Sequence, residues 1–215
     1  MKQEWMIYGA YGYTGELTAR EAKKRGLKPI LAGRSRGPLK ALAESLDLPW
    51  RAFDLDDPAV IGEALADVGL VLHCAGPFSA TARPMLEACL ARSVHYLDIT
   101  GEIDVFALCH QHDDAAKQAG IIVCPGAGFD VVPTDCVAAS LARAMPDAVD
   151  LELAFEAGGG TSPGTAKTSV EGLAKGGRIR RNGHMPQVPL AYMTRAIPFL
   201  AGPRHGMTIP WGDVY

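Results

Sequence analysis

Short apolar runs and helix-like stretches alternate through the first two thirds of the chain. Glu4-Trp5-Met6-Ile7-Tyr8 is a mostly apolar run that reads as a buried strand. Residues 16–25, rich in Ala, Leu, Glu, Lys and Arg, read as a helix, and Gly26 supplies its stop. Further strands are expected at 29–33, 50–54, 68–74, 94–99 and 121–124. Helices are expected from Pro38 to Leu46, from an Asp57-Pro58 cap to Ala66, over 81–92, and over 103–118 with Gly120 as the stop. About six strands separated by helices predict an α/β fold with a doubly wound parallel sheet, covered on both faces. A ligand of such a sheet lies beyond the carboxyl ends of its strands, where the strand order reverses.

Between the first strand and the first helix stands Gly9-Ala10-Tyr11-Gly12-Tyr13-Thr14-Gly15. Glycines let the backbone turn sharply and approach a pyrophosphate closely, and the unpaired N–H groups at the helix N-terminus meet its charge. The spacing is G-x-x-G-x-x-G rather than G-x-G-x-x-G. Strand, turn and helix together predict a Rossmann-type dinucleotide site. Sites that prefer NAD carry Asp or Glu at the end of the second strand. Here Arg34 and Ser35 stand there, with Arg36 beside them. A guanidinium and a hydroxyl suit a 2′-phosphate, so the expected cofactor is NADP rather than NAD. Asp54 ends the third strand, where it either contacts the adenine edge or caps a turn. Cys74, Ala75, Gly76 and Pro77 follow the fourth strand, and Thr100, Gly101 and Glu102 the fifth. The nicotinamide end is expected near those turns and near the loop from Gly126 to Asp130.

The last third changes character. A helix is expected over 134–144. Residues 149–157 alternate Leu151, Leu153 and Phe155 against Glu152, Ala154 and Glu156, which reads as a half-solvated strand. A flexible turn over 158–164 and a helix to about Lys175 follow. Beyond Gly177 the chain is rich in Pro and Gly, with short strand-like pieces such as 178–181 and no terminal helix. Half-solvated strands need a covering layer that this stretch barely supplies. Residues 1–133 therefore read as the dinucleotide-binding domain, and 134–215 as an incomplete α/β domain of the substrate or dimerisation type.

A chain of 215 residues, 48% hydrophobic and 21% charged, has ordinary globular composition and length enough to bury a core. A net charge of -3 gives no reason to expect nucleic acid or an anionic membrane as partner. No apolar run approaches membrane-spanning length, and no signal peptide is expected, because the chain enters its first strand at once. The five cysteines show no C-x-x-C spacing and are odd in number. They read as free thiols, each a small buried hydrophobe, in a reducing, cytoplasmic setting, with no metal site.

The turns read together resemble the saccharopine dehydrogenase-like oxidoreductases, including the trans-acting enoyl reductases of lipid and polyketide assembly. The matching pieces are the Gly9 to Gly15 loop, Ala32-Gly33-Arg34-Ser35, Cys74-Ala75-Gly76-Pro77-Phe78, Tyr96-Leu97-Asp98-Ile99-Thr100-Gly101-Glu102 and Gly128-Phe129-Asp130-Val131-Val132-Pro133-Thr134-Asp135. The resemblance implies an N-terminal Rossmann domain, a central domain on the substrate side and a return of the chain toward the first domain, before which this sequence is expected to end as a truncated form. N-acetyl-glutamyl-phosphate reductases share G-A-x-G-Y-T-G, but they use a cysteine followed by Tyr-Pro-Thr. Cys124-Pro125-Gly126 and Cys136-Val137-Ala138 both lack that pattern.

Hydride transfer needs a cofactor, a polarised acceptor and often a proton donor. Asp130 is the candidate donor; anchoring its loop or capping the helix near Thr134 is the plainer role. Glu102 and Lys167 are candidates for substrate contact, and Lys167 also reads as a solvated helix lysine. Tyr11 and Tyr13 read as packing residues beside the phosphate-binding glycines. His73 and His95 read as core or strand-end residues. His110 and His112 face different sides of their helix and form no metal pair. Two functions fit: an NADP-dependent reductase of a small imine, carbonyl or enoyl substrate, in which a homodimer is an allowed assembly, and an NADP-binding module that senses redox state or supports a partner without turnover.

Overall fold

The computed structural model describes residues 4–156, 158 and 163–215. Its centre is a six-stranded sheet in the order β3-β2-β1-β4-β5-β6, parallel throughout. The strands are β1 (Glu4–Tyr8), β2 (Ile30–Gly33), β3 (Trp50–Ala52), β4 (Val68–His73), β5 (His95–Asp98) and β6 (Val123–Cys124). The helices between them are α1 (Tyr13–Lys24), α2 (Arg36–Leu46), α3 (Pro58–Ala64), α4 (Phe78–Arg92), α5 (Ile103–Gln111) and α6 (Asp113–Ala119). The single helix expected over 103–118 is two, divided at His112, whose Nδ1 lies 2.8 Å from the Leu108 carbonyl.

Both faces of the sheet are covered, and the period of two sorts the side chains between them. Met6 and Tyr8 of β1 join Ile30, Ala32, Val71, Met85, Leu86 and Tyr96 in one core. Ile7, one residue out of step, joins Leu31, Leu39, Leu42 and Leu46 in the other. Met6, Ile7 and Leu31 are fully buried, and each such side chain contributes about 1.5–3 kcal/mol. The order reverses between β1 and β4, so the carboxyl ends of these two strands flank the crevice that a doubly wound sheet offers a ligand.

The remaining chain builds little core. Helix α7 (Val132–Ala144) has no buried residue. Helix α8 (Pro163–Leu173) is followed by two small antiparallel pairs, β7 (Gly177–Arg178) with β8 (Gln187–Val188) and β9 (Thr194–Phe199) with β10 (Gly202–Met207). The strand expected over 149–157 is not formed across 149–156, and Ala157 lies outside the described residues. Val149 is fully solvated and Leu151 exposed. Glu152 and Glu156 instead pair with Arg195 and Arg204 of the β9–β10 hairpin. The alternation is present, but across 149–156 its acidic positions meet the hairpin through side-chain ion pairs and not through a backbone ladder. The expected turn over 158–164 falls mostly on residues outside those described. A 3-10 turn at Gly212–Val214 docks on α5.

Candidate active site

The glycine loop is built by contacts that only hydrogen-sized side chains allow. Gly9 has φ +83°, and a Cβ there would lie 2.8 Å from the Ala75 nitrogen. A Cβ on Gly15 would lie 2.2 Å from the Gly9 carbonyl oxygen and 2.9 Å from Ala10 Cα, so α1 starts pressed against the end of β1. The Gly9 and Ala10 N–H groups both donate to the Ala32 carbonyl, at 2.8 and 3.0 Å, which ties the loop to β2. Gly12 is the N-cap of α1 and has no side chain to cap it. Tyr13, Thr14 and Gly15 hold the first helical positions, whose N–H groups have no intrahelical partner. They are available to an anion, which the helix dipole favours. This cradle fits a dinucleotide pyrophosphate on its own geometry.

At the end of β2, Tyr11 lies against Gly33, where a Cβ would be 2.6 Å from its ring. The Tyr11 hydroxyl accepts the Ser35 N–H at 3.2 Å. Tyr11 thus shapes the place where Arg34 and Ser35 stand. Arg34 is exposed and makes no hydrogen bond or ion pair among the described residues. Arg36 is differently engaged, with its guanidinium 5.2 Å from the Trp50 ring centre. Asp54, exposed, accepts the Asp56 N–H at 3.3 Å in a local turn closure.

The turn after β4 runs through Cys74, Ala75, Gly76 and Pro77 and touches Gly9. Burial, with the Asp98 charge second, pushes the Cys74 thiol up to about 12, so it is a neutral wall and not a nucleophile. The expectation that every cysteine is buried is corrected: Cys89 and Cys109 are buried and Cys74 partly, but Cys124 and Cys136 are exposed.

The end of β5 is the best-connected part of the edge. Asp98, fully buried, accepts the Tyr96 hydroxyl at 2.7 Å and the N–H groups of Thr100 and Gly126 at 3.0 and 2.8 Å. Its own carbonyl accepts the Ala127 N–H at 2.7 Å. Burial raises the Asp98 carboxyl, and these hydrogen bonds pull it back. Thr100 Oγ1 accepts the Glu102 N–H at 3.0 Å. The Glu102 carboxylate in turn takes the Phe78 and Ser79 N–H groups, at 2.8 and 2.7 Å, and so caps α4. The loop that Asp98 anchors carries Asp130, whose side chain would lie 3.3 Å from a Cβ on Gly101. Burial first, then the Asp213 charge, holds the Asp130 carboxyl above its ordinary value.

Against this geometry, residues 5–124 match the saccharopine dehydrogenase NADP binding domain. The chain belongs to this family. The saccharopine dehydrogenase-like oxidoreductase of Bos taurus is 26% identical over 150 residues, covering 60% of this chain and 35% of that protein. The trans-acting enoyl reductase of Mycobacterium ulcerans is 30% identical over 143 residues, covering 61% of this chain and 34% of that protein. The chain thus spans about a third of the length of these relatives. Its fold is that of apo saccharopine dehydrogenase (L-Glu forming) from Saccharomyces cerevisiae, with a TM-score of 0.62 at 13% identity, over 93% of this chain and 48% of that one.

In this saccharopine dehydrogenase-type domain the sequence-predicted loop, strand-end and turn residues all lie on one edge of the sheet. Glu102 lies there too, but its carboxylate is committed to the α4 N-terminus and also receives the Thr168 hydroxyl at 3.4 Å. Lys167, one residue earlier on α8, is exposed. Among the described residues no helix is long and apolar enough to cross a membrane, and no group of three His, Cys, Asp or Glu could hold a metal ion. Sequence reasoning assigned no task to Asp98, Trp211 or Asp213. Trp211 Nε1–H donates to the Asp130 carbonyl, and Asp213 accepts the Thr134 hydroxyl at 2.8 Å. Asp98 stood inside a quoted motif, but its partners lie far along the chain. Nothing in the local sequence marked Trp211 or Asp213.

Proposed function

We propose that this chain is the NADP-binding part of an oxidoreductase that transfers a hydride to an imine, a carbonyl or an enoyl double bond of a small molecule. The observation that carries the reading is the uncapped N-terminus of α1 behind Gly9, Gly12 and Gly15, together with an exposed Arg34 at the end of β2 that has no hydrogen bond or ion pair among the described residues. In this reading the first N–H groups of α1 hold the pyrophosphate. Arg34 and Ser35 hold a 2′-phosphate against Tyr11, and Asp54 borders the adenine. The 74–77 turn and Thr100-Gly101 line the nicotinamide end. When bound, the nicotinamide supplies or takes the hydride. Asp130 is the proposed proton donor, because its raised carboxyl keeps its proton closer to neutral pH. Lys167 is assigned to an anionic part of the substrate. The relatives' names, oxidoreductase and enoyl reductase, support the reaction class. Residues 1–133 form the cofactor unit in this reading, and 134–215 belong to the substrate side.

Calorimetric titration of NADPH and NADH into the chain and into Arg34→Ala tests this. The expected result is tight NADPH, weak NADH, and a loss of about ten- to a hundredfold in NADPH affinity in the variant, as one charged hydrogen bond implies. Failure of both cofactors to bind would overturn the reading. A second reading, an NADP-binding module without turnover, has one observation in its favour: α7, at the start of the substrate side, has no buried residue. NADPH binding without oxidation by any imine, carbonyl or enoyl acceptor would select it.

A further inference from the structure

His73 is the last residue of β4, fully buried, directly before the turn that touches the glycine loop. Aromatic rings enclose it: Tyr8 at 5.5 Å, Phe78 edge-on at 5.3 Å and Tyr96 at 6.2 Å between centroids. Its Nε2 lies 3.0 Å from Thr81 Oγ1. The same hydroxyl lies 2.6 Å from the Ala75 carbonyl and 3.1 Å from the Pro77 carbonyl. A hydroxyl has one proton to donate. Spent on the Ala75 carbonyl, it leaves a lone pair on Thr81 Oγ1 that needs a donor, and His73 is the group aimed at it. The imidazole must then carry its proton on Nε2. Burial holds the ring neutral, with its pKa lowered to about 3, so this state persists across physiological pH.

The consequence reaches the cofactor edge. The Ala75 carbonyl is turned onto this hydroxyl, while the Pro77 carbonyl, at the N-cap of α4, takes the Ala80 N–H at 3.2 Å. The Ala75 nitrogen packs where a Cβ on Gly9 would sit, 2.8 Å away. Carbonyl oxygens on a surface facing phosphates and ribose would repel or compete. Held by Thr81, the Ala75 carbonyl is kept from competing there. We propose that His73 and Thr81 are positioning residues for the dinucleotide: His73 donates from Nε2 to Thr81, whose hydroxyl draws the Ala75 carbonyl away from the cofactor side of the turn. This rests on the cofactor reading above.

The test uses the full chain and three substitutions. Thr81→Val removes the hydroxyl at constant shape, Thr81→Ser keeps it, and His73→Phe keeps a buried ring without the donor. NADPH is titrated by calorimetry, thermal midpoints are recorded, and ¹⁵N-edited NMR reports the His73 tautomer in the unsubstituted chain. The expected result is an Nε2–H tautomer, NADPH affinity lower by about three- to tenfold in Thr81→Val and His73→Phe, and restoration in Thr81→Ser. Unchanged NADPH affinity in Thr81→Val, or no restoration by serine, overturns the proposal. An Nδ1–H or doubly protonated ring overturns it even if the variants do not fold. If the unsubstituted chain binds no NADPH while His73 is the Nε2–H tautomer, the cofactor reading fails and the positioning proposal falls with it, which a loss confined to the variants distinguishes.

Discussion

The Glu102 carboxylate accepts the Phe78 and Ser79 N–H groups at 2.8 and 2.7 Å, so a residue from the end of β5 caps the helix that begins after β4. Pro77 at the N-cap position of α4 offers no side-chain cap of its own. Glu102 satisfies two of the orphan donors there and places negative charge at the positive end of the helix. Glu102→Ala is expected to cost about 2 kcal/mol in urea unfolding, with Glu102→Gln recovering part of it. An unchanged midpoint in both would show that solvent serves α4 equally well.

Gly15→Ala meets backbone. The new Cβ would fall 2.2 Å from the Gly9 oxygen and 2.9 Å from Ala10 Cα, and neither can rotate away. Either α1 lifts from β1 or the loop opens, so a loss above about 2 kcal/mol is expected, within the range of overpacked cores. NADPH binding is expected to disappear with it. By contrast, Gly26→Ala meets no atom within 4 Å and suffers only from its φ of +76°. Its expected cost is about 1 kcal/mol, without effect on the cofactor.

Asp98→Ala would strand three buried donors: the Tyr96 hydroxyl and the Thr100 and Gly126 N–H groups. Each stranded donor costs about 1–3 kcal/mol, so a total loss above about 3 kcal/mol is expected in denaturant unfolding. Hydrogen exchange is expected to quicken at Gly126 and Ala127 before the rest of the sheet. Uniform exchange across the domain would mean that the loop does not depend on this carboxylate.

The Asp130 carboxyl has a definite pH signature. Burial and Asp213 raise it in the folded chain above the ordinary value near 3.9. The folded state then binds its proton more tightly than the unfolded state does. That stabilisation is fully present below about pH 4 and is lost as pH rises through the folded value. Asp130→Asn has no such titration. The stability of the unsubstituted chain relative to the variant is therefore expected to fall as pH rises from about 4, measured by urea unfolding in steps to pH 7. A difference that stays level, or grows with pH, contradicts the sign.

The parallel sheet was legible because β1, β2 and β4 are short, mostly apolar runs, each followed by a turn and helix-forming residues. Residues such as Ile7 and Leu31 are buried on one face while Met6 and Ile30 are buried on the other, so no alternation was needed to see them. The Asp57-Pro58 start of α3 was equally legible, since Asp57 accepts the Ala59 N–H at 2.8 Å within its own turn. The β9–β10 hairpin was not. It pairs Pro198 opposite Pro203, and proline argues against a strand unless the strand lies exposed at an edge. The strand expected over 149–157 is not formed across 149–156 although its pattern alternates: Glu152 and Glu156 pair by side chain with Arg195 and Arg204, and no backbone ladder joins them to the hairpin.

The sequence by itself determined the strand–glycine loop–helix order, the guanidinium at the end of β2 and the turns that belong to the carboxyl edge. These are local: the glycines, caps and apolar runs act within a few residues of one another. Only the tertiary structure decided what Glu102, Asp98, His73 and Trp211 do. Glu102 reaches 24 residues back to α4, Asp98 reaches 28 residues forward to Gly126, and Trp211 reaches 81 residues back to Asp130. Even His73, close to Thr81 in sequence, acquires its role only when burial removes water as a competing partner. A hydrogen bond between distant residues leaves no periodicity or spacing behind, because its geometry exists only after the sheet has brought the strand ends to one edge.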